Sequence, residues 1–248
     1  MNRWQAAENT ALRRAFETRR RLSISRRVPL NVYDVCDQLG LDIRFTDCKS
    51  LDGMYFRSPK ACIILPSSTH RPLGRISFSC AHELGHHQLG HGTQLDEYLP
   101  DKQPERYNDP AEYAADIFAS HLLMPRAAVL HAFQKRSWTV DHPTPFQCFL
   151  IASEFGVGYL TLLNQLVSGL DLLDTQQLNE LRKIQPKSIR SKIWAASSSS
   201  RLFVVDSEWE APSADLEVDD FICAPLGCTC CPSIAEHVAD EPTQSIFK

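Results

Sequence analysis

The chain has 248 residues, of which 43% are hydrophobic and 23% charged, with a formal net charge of −4. This composition is that of an ordinary globular protein and excludes a collagen, a coiled-coil rod and a fully disordered chain. The sequence has no run of 18 apolar residues that would predict a membrane span, and its start lacks the apolar segment of a secretory signal. We therefore expect a cytoplasmic protein.

Charge is distributed unevenly along the chain. The first thirty residues contain eight arginines and two glutamates, whereas residues 199–248 contain ten acidic and two basic residues. The basic start could contact nucleic acid or an acidic partner, or it could be the solvated face of a helix. We predict the second, because runs of charge usually form solvated faces.

The first half of the chain predicts a mixture of helices and strands. Asn31 is a suitable N-cap, Gly40 and Gly90 are helix-ending glycines, and alternating apolar residues indicate the strands. In chain order the predicted elements are a basic helix (3–22), a linker (22–29), a helix (32–39), strands (41–45, Met54–Arg57 and Ala61–Leu65), a long helix (Leu73–Leu89) and a polar loop (His91–Asn108).

The second half predicts mainly helices. Asp109 and Pro110 are a typical N-cap and first-turn pair, and Pro125 ends the helix that they begin. Further helices are predicted over 126–136, 145–154, 158–168 and 174–184, followed by a serine-rich linker (Ser197–Ser200), a short strand (Leu202–Val205) and an acidic tail.

A metal-binding motif lies in the long predicted helix. His82 and His86 belong to the sequence H-E-L-G-H and are four residues apart, so both imidazoles leave the same helix face. Two histidines at this spacing can bind one zinc ion, and Glu83 can act as a general base without being a ligand. The alternative is a solvent-facing surface of histidine and glutamate.

The next predicted helix supplies two carboxylates at the same spacing. A zinc hydrolase needs a third protein ligand and an open fourth position, and Glu112 can be that ligand. Asp116 can accept a hydrogen bond from the far nitrogen of His82 and fix its tautomer. Glu112 could instead be the capping-box partner of Asp109, an alternative that the neighbouring H-E-x-x-H motif disfavours.

Longer segments around these motifs carry a family pattern. Residues 75–91 read R-I-S-F-S-C-A-H-E-L-G-H-H-Q-L-G-H, and residues 112–125 read E-Y-A-A-D-I-F-A-S-H-L-L-M-P. They resemble the R-x-x-F-T-x-A-H-E-L-G-H and E-x-x-A-N-x-F-A-x-x-L-L-M-P patterns of the ImmA/IrrE family of zinc metallopeptidases. The resemblance covers residues 28–170, and Ser79 and Asp116 depart from the usual Thr and Asn.

The resemblance implies a gluzincin-like α+β fold with a small sheet and zinc-binding helices. It places the metal ligands at His82, His86 and Glu112 and the general base at Glu83, with Zn²⁺ as the cofactor and Mn²⁺ as a possible substitute in vitro. We divide the chain into a basic N-terminal helix (1–27), a metallopeptidase core (28–125), a helical subdomain (126–194) and an acidic, cysteine-containing tail (195–248).

The resemblance also implies a substrate, an XRE-type helix-turn-helix repressor whose cleavage releases stress-response or mobile-element genes. A module that sequesters such a regulator without cutting it is a second hypothesis, although a binder has no need of Glu83. A DNA-binding regulator that uses the arginine-rich N-terminus is a third, which the net negative charge disfavours. Residues 151–158 read like a helix-turn-helix turn, but Gly158–Ser168 contains no Arg or Lys, so we expect core packing and no direct nucleic-acid binding.

Several other residues leave alternatives open. Strand Ala61–Leu65 could be a sheet edge that binds an extended substrate or an internal core strand. Four polar residues are near enough in sequence to donate to an oxyanion: Arg75, His87, His91 and Tyr113. Four tail cysteines with His237 could hold a second metal, although their spacing favours incidental thiols in a disordered tail: Cys223, Cys228, Cys230 and Cys231. The other five cysteines are predicted to be small core residues.

Overall fold

A computed structural model describes residues 2–67, 72–97, 109–193, 202–204, 206–210, 221–225 and 244–247. The fold is α+β, as predicted. The helices are α1 (Arg3–Arg21), α2 (Val32–Gln38), α3 (Leu73–Leu89), α4 (Pro110–Leu123), α5 (Arg126–Gln134), α6 (Pro145–Glu154), α7 (Tyr159–Asn164), α8 (Thr175–Arg182) and α9 (Pro186–Ile193). The strands are β1 (Asp42–Thr46), β2 (Leu51–Phe56), β3 (Cys62–Pro66), β4 (Gln94–Glu97), β5 (Leu202–Val204), β6 (Phe221–Pro225) and β7 (Gln244–Phe247). The serine-rich linker, Cys228, Cys230, Cys231 and His237 lie outside the described residues.

The first four strands form one sheet in the order β1-β3-β2-β4. β3 pairs with β1 in parallel and with β2 in antiparallel orientation, so the possibility that Ala61–Leu65 is a sheet edge is wrong. β4 lies within the stretch predicted as a loop and pairs with β2. Its sequence, Q-L-D-E, shows no alternation of buried apolar residues, and Leu95 is exposed. Residues Gln94–Glu97 therefore form a strand because they pair with β2, and not because of an apolar pattern of their own.

The basic N-terminal helix packs against α4 and α3. Most of its arginines are exposed, as expected for a solvated face, but Arg19 is buried. Its guanidinium donates to the carbonyl oxygens of Leu122 (2.8 Å) and Ser25 (2.6 Å). Arg19 thus satisfies a carbonyl in the last turn of α4, a position where helices leave such groups unpaired. Burial lowers the pKa of Arg19 to about 10.

The helix-turn-helix-like segment is part of the core. α7 buries Leu162 and Leu163 completely, and a π-helical turn (Gln165–Gly169) follows it. Asn164 and Gln165, the polar residues of this segment whose side chains are of a type that contacts DNA bases, both bond to other residues of the protein. Asn164 accepts a hydrogen bond from Arg182, and Gln165 donates to the carbonyl of Met124 (3.3 Å).

The C-terminal part has more regular structure than a disordered tail. β5 pairs in parallel with β6, and β6 pairs in antiparallel orientation with β7. The segment 206–210 is attached to the helices through Asp206, whose two carboxylate oxygens accept from Arg136 (2.6 and 2.7 Å). Arg136 also pairs with the buried Glu154 (2.7 Å). Charge pairing, rather than apolar periodicity, fixes this segment.

Two sequence predictions concern cysteines and membrane spans. Of the five cysteines outside the tail cluster, four are buried and Cys48 is exposed, so its prediction as a core residue is wrong. In the part of the chain that the structure describes, no single helix is long and apolar enough to cross a membrane.

Candidate metal centre

Close packing of α3 on α4 brings the predicted site residues together. Gly85 faces α4, and a Cβ atom on it would lie 3.1 Å from Ala115 Cα and 3.2 Å from both Ala115 O and Phe118 Cδ1. A larger residue would therefore hold the helices apart. Because Gly85 lies between the two histidines of the motif, the helices are closest where the metal-binding side chains meet.

Three predicted ligands form one cluster. Ligand atoms of His82, His86 and Glu112 all lie within 4.8 Å of one another. Glu112 Oε2 is 3.2 Å from His82 Nε2, Glu112 Oε1 is 3.4 Å from His86 Nε2, and the two Nε2 atoms are 3.0 Å apart. The competing capping-box arrangement is not the one formed. The Asp109 side chain accepts from Ala111 N, while the Glu112 carboxylate faces the histidines.

The cluster has the dimensions and the donor types of a zinc site. A tetrahedral zinc ion with ligand distances of about 2.0–2.2 Å separates its ligand atoms by about 3.3–3.5 Å. The distances of 3.0–3.4 Å within the cluster are close to that spacing. Two imidazole nitrogens and a carboxylate oxygen are the protein ligands of known catalytic zinc sites.

Each histidine has a partner on its other ring nitrogen. His82 Nδ1 donates to Asp116 Oδ1 at 2.8 Å, the arrangement predicted from the sequence. His86 Nδ1 is 2.8 Å from His91 Nδ1. Burial lowers the pKa of His91, which favours the neutral imidazole, whose unprotonated nitrogen can accept a hydrogen bond from His86 Nδ1. Such partners fix the tautomer in which Nε2 is available to a metal.

Buried charge dominates the electrostatics of the centre. Burial alone would lower the pKa of His82, but the carboxylates of Asp116, Asp96 and Glu112 raise it well above the usual value. Burial, together with the neighbouring His82, lowers the pKa of His86 to about 4. Burial would raise the pKa of Glu112, but its hydrogen bond with His82 outweighs this and lowers it. The carboxylates of Asp116, Asp96 and Glu112 therefore give the centre negative charge that a divalent cation would neutralise.

Glu83 lies on the sheet side of the same centre. It is fully buried, and a Cβ atom on Gly53 of β2 would lie 3.1 Å from its Cδ. Glycine at position 53 therefore leaves the space that the Glu83 carboxylate occupies. Gly53 is the cross-strand partner of Asp96 in β4, and Asp96 Oδ2 is 3.2 Å from His82 Nε2. The carboxylates of Glu83 and Asp96 therefore lie on the same face of the sheet.

Sequence reasoning missed Asp96 and the role of His91. Asp96 belongs to a short strand without an apolar pattern, whereas the histidine spacing around Gly90, a left-handed helix cap, could have indicated His91.

The four candidate oxyanion donors all contact other side chains. Arg75 binds both oxygens of Asp52 (3.0 and 2.9 Å), and His87 Nδ1 is 3.0 Å from Tyr55 Oη. Tyr113 packs edge-on against Trp4, and His91 contacts His86.

A small sheet over a helix with two histidines, completed by a carboxylate from a second helix, is compatible with a metallopeptidase. The family model of the IrrE N-terminal-like domain, a peptidase family, matches residues 36–167, more than half of the chain. The chain therefore belongs to the ImmA/IrrE family of metallopeptidases. A comparison with curated proteins found no match.

Proposed function

We propose that this protein is a zinc-dependent endopeptidase of the cytoplasm that cleaves an XRE-type helix-turn-helix repressor and so derepresses stress-response or mobile-element genes. The observation that carries the zinc chemistry is the cluster of His82, His86 and Glu112, with Glu83 buried beside it. The substrate class rests on the resemblance to the ImmA/IrrE family.

The residues of the centre have separate tasks in this proposal. His82, His86 and Glu112 hold the metal, and Asp116 and His91 orient the two imidazoles. A zinc ion held by these residues would supply Lewis-acid chemistry, which polarises the scissile carbonyl and makes water a better nucleophile. Glu83 accepts a proton from the attacking water and delivers it to the leaving amine. Its burial excludes competing solvent from that proton transfer.

The site also restricts the form of the substrate. Peptide-bond cleavage requires an extended segment, whereas a packed helix does not expose its backbone. The cut is therefore expected in a linker or exposed loop of the repressor, where proteolysis concentrates.

The test is incubation with a purified XRE-type repressor, taken from beside this gene if one is encoded there, with zinc present and fragments identified by mass spectrometry. Wild type should make a single cut, and Glu83→Gln should bind zinc normally and make none. The matched control is Glu97→Gln, which makes the same change at an exposed position of β4 and should cut like wild type.

Two results would contradict the proposal. Cleavage that persists in Glu83→Gln would show that this carboxylate is not the general base. A repressor that stays uncut but is bound tightly by both wild type and Glu83→Gln would favour the sequestering module instead.

A further inference from the structure

A second carboxylate, that of Asp96, contacts a predicted metal ligand in the same way as Glu112. Its Oδ2 atom is 3.2 Å from His82 Nε2, and the Glu112 Oε2 atom is also 3.2 Å from that nitrogen. Asp96 is close enough to influence His86 and Glu112 electrostatically as well. A metal ion on His82 Nε2 would therefore have the Asp96 carboxylate beside it. Asp96 lies outside the group of three residues whose ligand atoms are all within 4.8 Å of one another, so ligation requires a movement of its side chain toward the other ligands.

The position of Asp96 is set by strand register. It lies opposite Gly53, and directly paired residues of neighbouring strands place their side chains on the same face of a sheet. That face is the one on which Glu83 packs against Gly53. The Asp96 side chain is only 10% exposed although it belongs to an edge strand. Pairing with β2 thus directs this carboxylate into the centre.

The centre is closed in this arrangement. His86 and Glu83 are fully buried and His82 is 3% exposed, so even a water-sized molecule barely touches them. A polypeptide substrate needs far more room. β4 covers this side of the centre and, among the described strands, pairs with β2 alone. As an edge strand it can leave the sheet without breaking the pairing between any other two strands.

We propose that Asp96 is a fourth protein ligand of the metal in the resting protein, so that β4 blocks the position that a substrate must reach. A zinc ion with four protein ligands is closed, whereas a catalytic zinc ion keeps one open position. Withdrawal of β4 removes Asp96 and opens both the metal and the free edge of β2. An extended substrate segment can then pair with that edge in place of β4.

This inference rests on the proposed zinc chemistry, and its test does not depend on cleavage. Full-length wild type, Asp96→Ala and Asp96→Asn are compared by competition with a chromogenic zinc chelator and by calorimetric titration with acetohydroxamate, which binds at an open zinc position. Glu97→Ala is the control, because it removes a carboxylate of the same strand that is exposed to solvent.

Both Asp96 variants should bind zinc at least about tenfold more weakly than wild type, as expected when a group that supports the metal is removed. Their zinc-loaded forms should bind acetohydroxamate at least about tenfold more tightly. Glu97→Ala should match wild type in both measurements, and Asp96→Asn keeps the result interpretable if the alanine variant folds poorly.

Zinc and acetohydroxamate affinities of both Asp96 variants within twofold of wild type would overturn the inference while leaving the proposed function intact. Weaker zinc binding with unchanged acetohydroxamate binding would also overturn it, because the fourth position would then be open already. A wild-type protein that binds no zinc would overturn both the inference and the proposed function.

Discussion

Replacement of Gly85 by alanine should separate the two helices that carry the metal-binding side chains. The added methyl group would lie 3.1 Å from Ala115 Cα and 3.2 Å from Phe118 Cδ1, whereas unstrained carbon contacts are about 3.5–4.0 Å. Relief of this contact requires a movement of roughly 0.3–0.9 Å between α3 and α4. The distances from Glu112 to the two histidines run between these helices and should lengthen by a similar amount.

Gly85→Ala should lower the free energy of unfolding only modestly, and its main effect should be on zinc affinity. Overpacking costs about 1–3 kcal/mol, and the better helix propensity of alanine offsets about 1 kcal/mol, so the net destabilisation should be about 0–2 kcal/mol. Zinc affinity should fall about tenfold, as it does when the support of ligand positions is disturbed. Chelator competition and thermal unfolding measure the two effects. Gly92→Ala is the control, because nothing lies within 4 Å of a Cβ atom at that position.

A Gly85→Ala variant with zinc affinity within twofold of wild type would refute the idea that this helix contact sets the ligand spacing.

Three further predictions follow from other contacts. Asp116→Ala should weaken zinc binding by about 10–100-fold in chelator competition; an unchanged affinity would show that its hydrogen bond to His82 does not support the metal. Asp206→Ala should lower the free energy of unfolding by about 2 kcal/mol in a urea titration, because it removes hydrogen bonds from a buried guanidinium; an unchanged midpoint would contradict this. A hydrogen bond from Ser50 lowers the pKa of the exposed Cys48, whereas burial raises that of Cys148 to about 12. Since only the thiolate is alkylated, iodoacetamide should label Cys48 first, with a midpoint below that of an ordinary exposed thiol. Mass-spectrometric labelling of native Cys148 near neutral pH would contradict the burial of that thiol.

The predicted ligands could be identified from the sequence because local helix geometry determines them. A spacing of four residues places His82 and His86 on one helix face, and the same rule joins Glu112 to Asp116. The sequence also resembles a known family over this region, which associates the two helices with each other. The structure brings His82, His86 and Glu112 together, with ligand atoms within 4.8 Å of one another.

The features that could not be predicted from the sequence depend on contacts between segments that are distant along the chain. Asp96 reaches the centre because β4 pairs with β2 opposite Gly53, and neither strand length nor apolar periodicity in Q-L-D-E predicts that register. Asp206 is fixed by a buried arginine seventy residues away. Arg19 belongs to a basic run whose other members are mostly exposed, so composition could not show that its guanidinium is buried against α4.

Zinc content measured by inductively coupled plasma mass spectrometry is the most direct test of a metal centre built on His82 and His86. Wild type should carry about one equivalent of zinc, and the double variant His82→Ala/His86→Ala should carry almost none, since it leaves only carboxylates at the centre. The control is His131→Ala/His142→Ala, which removes two histidines outside the cluster and should keep one equivalent. Full zinc content in His82→Ala/His86→Ala would place the metal elsewhere in the chain and contradict this centre.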